Sequence, residues 1–470
     1  MSEAPDQVDV VIIGGGPGGE GAALYGSAAG LKIAVVEKDK MGGTCLHRGC
    51  IPAKRLLETS ATYRHIIEAK NFGISVGEPS VDMTAAVAAK QQVVDTLHTG
   101  LRGLLKRRKA DVHEGVGTLQ ADGTVHVRYH DGSEGTIVAD NVILAAGSVP
   151  RTIPGFDVDG RIVMTSDEVL DIDFVPERAA VIGGGAIGCE FASMLSDLGA
   201  NVTILEAMDR IVPGCDTDVT KALTKAFKKR GIDVRTGVRV NGHTPRDGGG
   251  TTVHIEGADD LDVDVVVVSV GRRPYSEGLL ADGTGVALDE RGYVQVDEWC
   301  RTSVPGVFAI GDLIPTSQLA HIGYAEAMLV IKQVLGEPAV PIDHDRVPWC
   351  IYCHPEVAFA GLTEEEARAR GYDVVADKHK FTGNGRAIIV GETDGMVKVI
   401  AEKNADGTAG QILGVHMMGP WVTEQLGQGY LAVNWEASVD DVAAFIQPHP
   451  TMSELFGETV LGLTGRGMHS

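Results

Sequence analysis

Two stretches of the chain share one order of apolar and polar positions. Residues 8–39, VDVVIIGGGPGGEGAALYGSAAGLKIAVVEKD, run from an apolar strand through a glycine turn into a helix of small residues, then into a second apolar strand closed by an acid. Residues 178–209, RAAVIGGGAIGCEFASMLSDLGANVTILEAMD, repeat it. Short apolar runs bounded by glycine turns and alternating with helices predict parallel, buried strands in α/β units. NVILAAGSVPRTIPG (141–155), DVVVVSVGRRP (264–274) and GVFAIGDL (306–313) are further apolar strands that end in small residues or proline. RDGGGTT (246–252) reads as a loop between strands of the second unit. From about Val347 onward strands, helices and loops follow without another glycine fingerprint, a pattern that fits a region for association.

The repeated unit has a specific physical reading. Gly14, Gly16 and Gly19 match Gly183, Gly185 and Gly188, and Glu37 and Glu206 each stand 23 residues after the first glycine of their set. The first glycine permits the tight turn, the second admits a pyrophosphate to the backbone, and the third lets helix and strand pack closely. The phosphates then face the positive N-terminus of the helix. The distal acid is placed to accept hydrogen bonds from an adenosine ribose. Two such units predict two dinucleotides. Glu206 would meet a 2′-phosphate with a carboxylate, which favours NAD over NADP; Arg210, four residues on, is the one nearby cation that softens this.

Composition narrows the partners. The chain has 470 residues, enough for about three domains, and carries 41 Lys and Arg against 64 Asp and Glu, a net charge of −23. Such a surface disfavours nucleic acid and anionic membranes. The one basic run, Lys106-Arg107-Arg108-Lys109, follows LHTGLRGLL and reads as the solvated end of a helix. No stretch approaches the ~18 apolar residues of a membrane span. MSEAPDQVDV does not resemble a secretory signal, and seven cysteines suit a reducing compartment. A cytoplasmic location is expected.

GGTCLHRGCIPAK (42–54) holds Cys45 and Cys50 with four residues between them. A structural zinc site needs about four ligands, and only His47 lies near. In a regular helix the two Cα atoms would be about 8.6 Å apart, whereas a disulfide needs about 4.4–6.8 Å. A bond between them therefore requires a distorted turn, which Gly49 can supply. CIYCH (350–354) has the form of a haem-attachment motif, but VPWCIYCHPEVAFAG reads as strand, with Cys350 and Cys353 on opposite faces. Cys189, Cys215 and Cys300 read as packing or surface residues.

The segment GGTC-x4-C-IP-x-K resembles the active-site stretch of the pyridine nucleotide-disulfide oxidoreductases. TSVPGVFAIGDL with LAHIGYAEA (319–327) resembles their second flavin-binding stretch, and HPTMSE (449–454) their C-terminal histidine motif. The resemblance spans nearly the whole chain in the right order. It implies an α/β fold of two Rossmann-like domains, binding FAD and NAD(P), plus a C-terminal α+β dimerisation domain. The expected division is an FAD-binding domain at 1–148, an NAD-binding domain at 149–276, a central segment completing the FAD site at 277–346, and a dimerisation domain at 347–470.

The same resemblance implies the roles. FAD would lie on Gly14, Gly16, Gly19 and Glu37, with Asp312 on its ribityl chain and the backbone of Ala320 at its ring. Cys45 would be the interchange thiol that meets substrate, and Cys50 the thiol against the flavin. Lys54, paired with Glu190, would sit near the reactive flavin nitrogen. Thr44, Gly117, Gly147, Ile187, Val238 and Gly271 complete the expected cofactor-binding positions, beside Gly183, Gly185, Gly188 and Glu206 of the second unit. His449, before Pro450 at an expected helix start, would be the base, oriented by Glu454, since thiol–disulfide exchange proceeds through a thiolate.

Within the family, GGTCLHRGCIPAK, YCHPEVAFAGLTEEEA and GNGRA (383–387) are most similar to members that oxidise dihydrolipoyl groups. That implies oxidation of protein-bound dihydrolipoamide by NAD. The expected partner is the dihydrolipoyl domain of an acyltransferase or H-protein, in 2-oxo acid dehydrogenase or glycine cleavage complexes. It also implies a homodimer with shared active sites. His47-Arg48, Gln447 and Tyr275 depart from the family's usual residues without removing a reacting group. The alternative is another FAD-dependent reductase, of a low-molecular-weight disulfide. Glu206 disfavours its NADPH-driven forms, and the tail GLTGRGMHS lacks the cysteine pair of a mercuric reductase. A flavin-containing sensor without turnover is disfavoured by the intact Cys45, Cys50, His449 and Glu454.

Overall fold

The structure is a computed structural model that describes residues 6–468. Its longer and shorter α-helices are, in chain order, α1 (Pro17–Ala28), α2 (Gly43–Arg48), α3 (Cys50–Glu68), α4 (Met83–Arg108), α5 (Ala186–Asp197) and α6 (Thr217–Lys229). They continue with α7 (Ala320–Val334), α8 (Glu364–Ala369), α9 (Gly385–Val390), α10 (Val422–Asn434), α11 (Val439–Ala443) and α12 (Glu454–Leu463). The chain divides into two compact units, one of residues up to 55 with 87–151 and 271–344, the other of 56–86, 152–270 and 345 onward.

In the first unit the strands Val307–Ala309, Glu134–Leu144, Asp6–Ile13, Ile33–Glu37 and Asp111–Leu119 lie side by side and parallel. Val125–Tyr129 runs antiparallel to the strands on either side of it in sequence. The central register pairs Val11 with both Ala34 and Val142. Ile33–Glu37 is buried along its whole length, as a strand covered on both faces must be. Helices α1 and α7 pack on this sheet, around a core that includes Val10, Ile12, Val35, Ile143 and Ile331.

The described residues of the second unit form three sheets. Strands Asp233–Thr236, Asn201–Glu206, Arg178–Ile182, Val265–Val268 and Val163–Met164 are parallel in that order. A small antiparallel sheet, Val240–Pro245, Thr251–Ile255 and Leu261–Val263, leaves RDGGG as the connecting loop, while Thr251 and Thr252, expected in that loop, open the next strand. C-terminally, five antiparallel strands run in the order Trp349–Ile351, Glu356–Gly361, Ala409–Gly419, Met396–Lys403, Val374–Lys380. Their apolar face is covered by α10 and α12 through Val397, Val415, Leu426, Phe456 and Val460. Among the described residues no helix is long and apolar enough to cross a membrane.

Two sequence readings need correction. The strand at CIYCH ends at Ile351, so Cys353 lies in the bend after it and the two-faced argument does not apply. Cys353 is buried and its thiol donates to the Pro355 carbonyl at 3.2 Å. His449 does not open a helix: α12 begins at Glu454, after a loop closed by Thr451, whose hydroxyl donates to the Pro448 carbonyl at 2.7 Å.

Candidate active site

The glycine turns show which positions the chain needs for itself. A Cβ added at Gly14 would lie 2.2 Å from the Ala145 carbonyl oxygen, and one at Gly19 would lie 1.8 Å from that of Gly14. The second unit repeats this, with 2.3 Å from Gly183 to Ser269 O and 1.9 Å from Gly188 to Gly183 O. The middle glycines differ. Gly16 would meet only the Gly43 Cα, at 3.9 Å, and Gly185 would meet nothing within 4 Å. Packing explains the outer glycines; the middle ones keep open the space above a helix N-terminus, where a pyrophosphate fits.

The distal acids close the turns. Glu37 accepts from the Gly15 amide at 2.6 Å and the Asp39 amide at 2.8 Å. Glu206 accepts from the Gly184 amide at 2.5 Å and the Met208 amide at 2.7 Å. Burial pushes the Glu37 carboxyl up, against those two amides. Arg210 is engaged by Thr217 at 2.9 Å and Glu365 at 3.3 Å. Ile187 lies half-buried in the first turn of α5, and Val238 donates its amide to the Glu206 carbonyl at 3.0 Å.

The thiol segment is a helix broken between the cysteines. Gly49 ends α2 with φ −146° and ψ −114°, and α3 starts at Cys50. The break brings Cys45 and Cys50 into a side-chain hydrogen bond. That bond, then burial, drives the Cys45 thiol well above its usual range. A Cβ at Gly49 would crowd the Thr44 carbonyl oxygen at 3.0 Å and the Cys45 Cα at 3.4 Å. His47 takes up the Met41 carbonyl at 2.9 Å, and Arg48 pairs with Asp39 at 2.5 Å. The departures His47-Arg48 thus brace α2 from outside. Thr44 and Lys54 are half-buried on the same segment.

Asp312 sits in the short turn Gly311–Leu313 after the strand Val307–Ala309. Its Oδ2 accepts from the Ser148 hydroxyl at 2.5 Å, and Arg272 donates to that hydroxyl at 2.7 Å. Glu326, absent from the sequence reading, braces this turn: it accepts from the Gly311 amide at 2.6 Å and the Thr316 hydroxyl at 2.8 Å. Burial pushes it up to about 7. The acid of LAHIGYAEA was its only sequence signal. Ala320 opens α7, Gly117 packs on Val36 and Ile13, and Gly147 accepts from the Tyr275 amide at 2.8 Å. Tyr275, the other departure in this unit, carries the Lys38 ammonium 3.2 Å above its ring. Gly271 is exposed and accepts from the Arg151 amide at 3.0 Å.

In the second unit Glu190 is buried in α5 and accepts from the Tyr352 amide at 3.0 Å. His449 Nδ1 lies 2.7 Å from Glu454 Oε1, and the imidazole is 77 % exposed. The side chain of Asn384, from GNGRA, donates to the Thr451 carbonyl at 3.0 Å and so steadies the His449 loop. Gln447 donates to Gln428 at 3.4 Å.

Two glycine turns, each closed by a distal acid, and a thiol pair at a helix break are elements suited to dinucleotide-linked thiol redox chemistry. Comparison with known proteins agrees. Residues 8–327 match the pyridine nucleotide-disulphide oxidoreductase family, and residues 347–460 match the dimerisation domain of that family. The chain belongs to this family. The family binds FAD and NAD(P), and this member is an FAD-dependent disulfide oxidoreductase whose dimerisation domain supports a homodimer.

Its curated relatives include dihydrolipoyl dehydrogenase of Bacillus subtilis, 40% identical over 98% of this chain and 99% of that one. Dihydrolipoyl dehydrogenase 3 of Pseudomonas putida is 38% identical over 98% and 99%. Among solved structures, LpdA from Mycobacterium tuberculosis superposes with a TM-score of 0.90 over 97% of this chain and 99% of that one, at 24% identity, a likeness of fold. RclA from Escherichia coli, an HOCl-induced flavoprotein disulfide reductase, gives 0.85 over 96% and 99%, at 26% identity.

Proposed function

We propose that this oxidoreductase is a dihydrolipoyl dehydrogenase that oxidises protein-bound dihydrolipoyl groups with NAD. The observation that carries the reading is the Cys45–Cys50 contact across the Gly49 break, in a chain 40% identical over nearly its full length to the Bacillus subtilis enzyme of that name. A substrate thiolate attacks the Cys45 sulfur of the oxidised pair and displaces Cys50 as a thiolate. The second substrate thiol then attacks the mixed disulfide, leaving as the cyclic disulfide and releasing Cys45.

His449 takes the substrate proton, with Glu454 holding its ring by Nδ1 so that Nε2 is the nitrogen left to accept it. Gly16 and Asp312 would hold FAD, which would supply the two-electron relay by which the dithiol reduces NAD to NADH with one proton released. Lys54 and Glu190 would orient that relay. Glu206 would receive the NAD ribose and repel a 2′-phosphate. Because His449 stands in the segment matching the dimerisation domain, the base is assigned to the partner subunit's site.

Initial rates decide the reading. NADH formation from dihydrolipoamide should far exceed NADH- or NADPH-driven reduction of glutathione disulfide. The reverse order would replace it with reduction of a low-molecular-weight disulfide.

A further inference from the structure

Glu326 is fully buried on α7, in the core that holds Ala327, Val330 and Ile331. A carboxyl at such a position is costly unless its oxygens are hydrogen-bonded. Here both are spent on one segment, the stretch from Gly311 to Thr316 that carries Asp312. Gly311 holds the first amide past the strand ladder, since Ile310 still donates to the Leu144 carbonyl at 3.0 Å. Its N–H turns instead to Glu326 Oε2 at 2.6 Å, and the Thr316 hydroxyl donates to Oε1 at 2.8 Å. The carboxyl thus holds the segment at both ends.

The first turn of α7 also meets α1. An added Cβ at Gly323 would lie 3.2 Å from the Gly18 nitrogen and 3.8 Å from the Gly311 Cα. Gly18 is in the first turn of α1, just after Gly16, and its own added Cβ would lie 3.1 Å from the Ile310 side chain. Helix α7 therefore joins the two stretches assigned to FAD, which are far apart in sequence. The Asp312 carboxylate is fixed separately, by the Ser148 hydroxyl at 2.5 Å, so its backbone and its side chain are held from two directions.

We infer that Glu326 is a positioning residue for the flavin: it sets the turn Gly311–Leu313 against α1 so that the Asp312 carboxylate can take the ribityl chain of FAD. The position needs two hydrogen bonds of the right shape rather than a charge. In Glu326→Gln the amide oxygen accepts the Gly311 N–H, and the amide nitrogen donates to the Thr316 hydroxyl, which rotates to accept, so both bonds persist. Glu326→Ala strands the Gly311 amide and the Thr316 hydroxyl, whereas Thr316→Val removes one bond only.

This rests on the assignment of Asp312 to FAD, and its test does not depend on turnover. The full-length, FAD-loaded protein is diluted, and the rise in free-flavin fluorescence gives the rate of FAD release. Glu326→Ala should release FAD about tenfold faster or more, and Thr316→Val about threefold faster. Glu326→Gln should stay within about twofold of the unchanged protein. If Glu326→Ala is not recovered with FAD, Thr316→Val takes its place. The decisive comparison is with Asp312→Ala, which should itself speed release. In that background the second substitution should add little, because its effect passes through Asp312. An equal further gain in rate there, as a merely structural brace would give, would overturn the inference and leave Asp312 a flavin residue. Unchanged release from Glu326→Ala would overturn it as well. Unchanged release from Asp312→Ala would sink the assignment of Asp312, and this inference with it.

Discussion

His449 Nδ1 lies 2.7 Å from Glu454 Oε1, and the other oxygen of that carboxylate accepts the Thr451 amide at 2.7 Å. Glu454 is thereby fixed to the loop as well as to the ring, and Nε2 is the nitrogen left to take a proton. Glu454→Gln should lower kcat with dihydrolipoamide by about tenfold to a hundredfold with little change in KM. Steady-state rates on protein of full flavin content check this. An unchanged kcat would remove Glu454 from the account.

The two later glycines of the second turn should respond oppositely to one methyl group. Gly185→Ala meets nothing within 4 Å and should keep the thermal midpoint, while weakening NAD binding by about tenfold or more. Gly188→Ala would press a methyl into the Gly183 carbonyl and should destabilise the fold itself. Thermal melts beside NAD titrations separate the two. A Gly185→Ala protein with unaltered NAD affinity would show that the open space is not a phosphate site.

Glu206 should set the choice of nucleotide. Since Arg210 is tied to Thr217 and Glu365, little cation remains to receive a 2′-phosphate. We expect kcat/KM for NAD to exceed that for NADP by about a hundredfold, a ratio that Glu206→Ala should reduce. Equal rates with both nucleotides in the unchanged protein would contradict the assignment.

The two nucleotide units were legible because their glycines answer to local geometry: Gly14 and Gly19 serve a turn that folds back within six residues. The helix break at Gly49 was legible for the same reason. What sequence reading missed depends on distant contacts. Glu20 meets Tyr324 from 304 positions away, and Lys398 meets Asp216 from 182. No periodicity reports such pairs. The start of α12 was misplaced because HPTMSE carries its cap signals in a loop stabilised by Asn384, which is remote in sequence.

Lys398 gives a stability test. Its side chain is 5 % exposed and its ammonium lies 2.9 Å from Asp216, 3.0 Å from Asp218 and 2.8 Å from Glu364. Burial works against the Asp216 and Asp218 carboxylates, but Lys398 together with the Asp218 amide at Asp216, and together with Lys378 at Asp218, holds both below their usual range; Lys398 and Arg368 do so for Glu364. Their folded values are depressed, so this stability is present above the unfolded values near pH 4 and is lost as pH falls through the folded ones. Lys398→Met should cost about 3 kcal/mol at pH 7. The deficit should shrink toward pH 4 as the stranded carboxyls take up protons. Urea denaturation at the two pH values reads both effects, and an equal deficit at each would contradict them.

The central claim is that the thiols of one subunit react with a base from its partner. NADH formation from dihydrolipoamide by a purified heterodimer of Cys45→Ser and His449→Gln subunits tests it most directly. Each parent homodimer lacks either the thiol or the base at every site. In the heterodimer one site regains both if His449 serves across the two-fold, and the account predicts about half the rate of the unchanged dimer. A heterodimer no more active than its parents would contradict it.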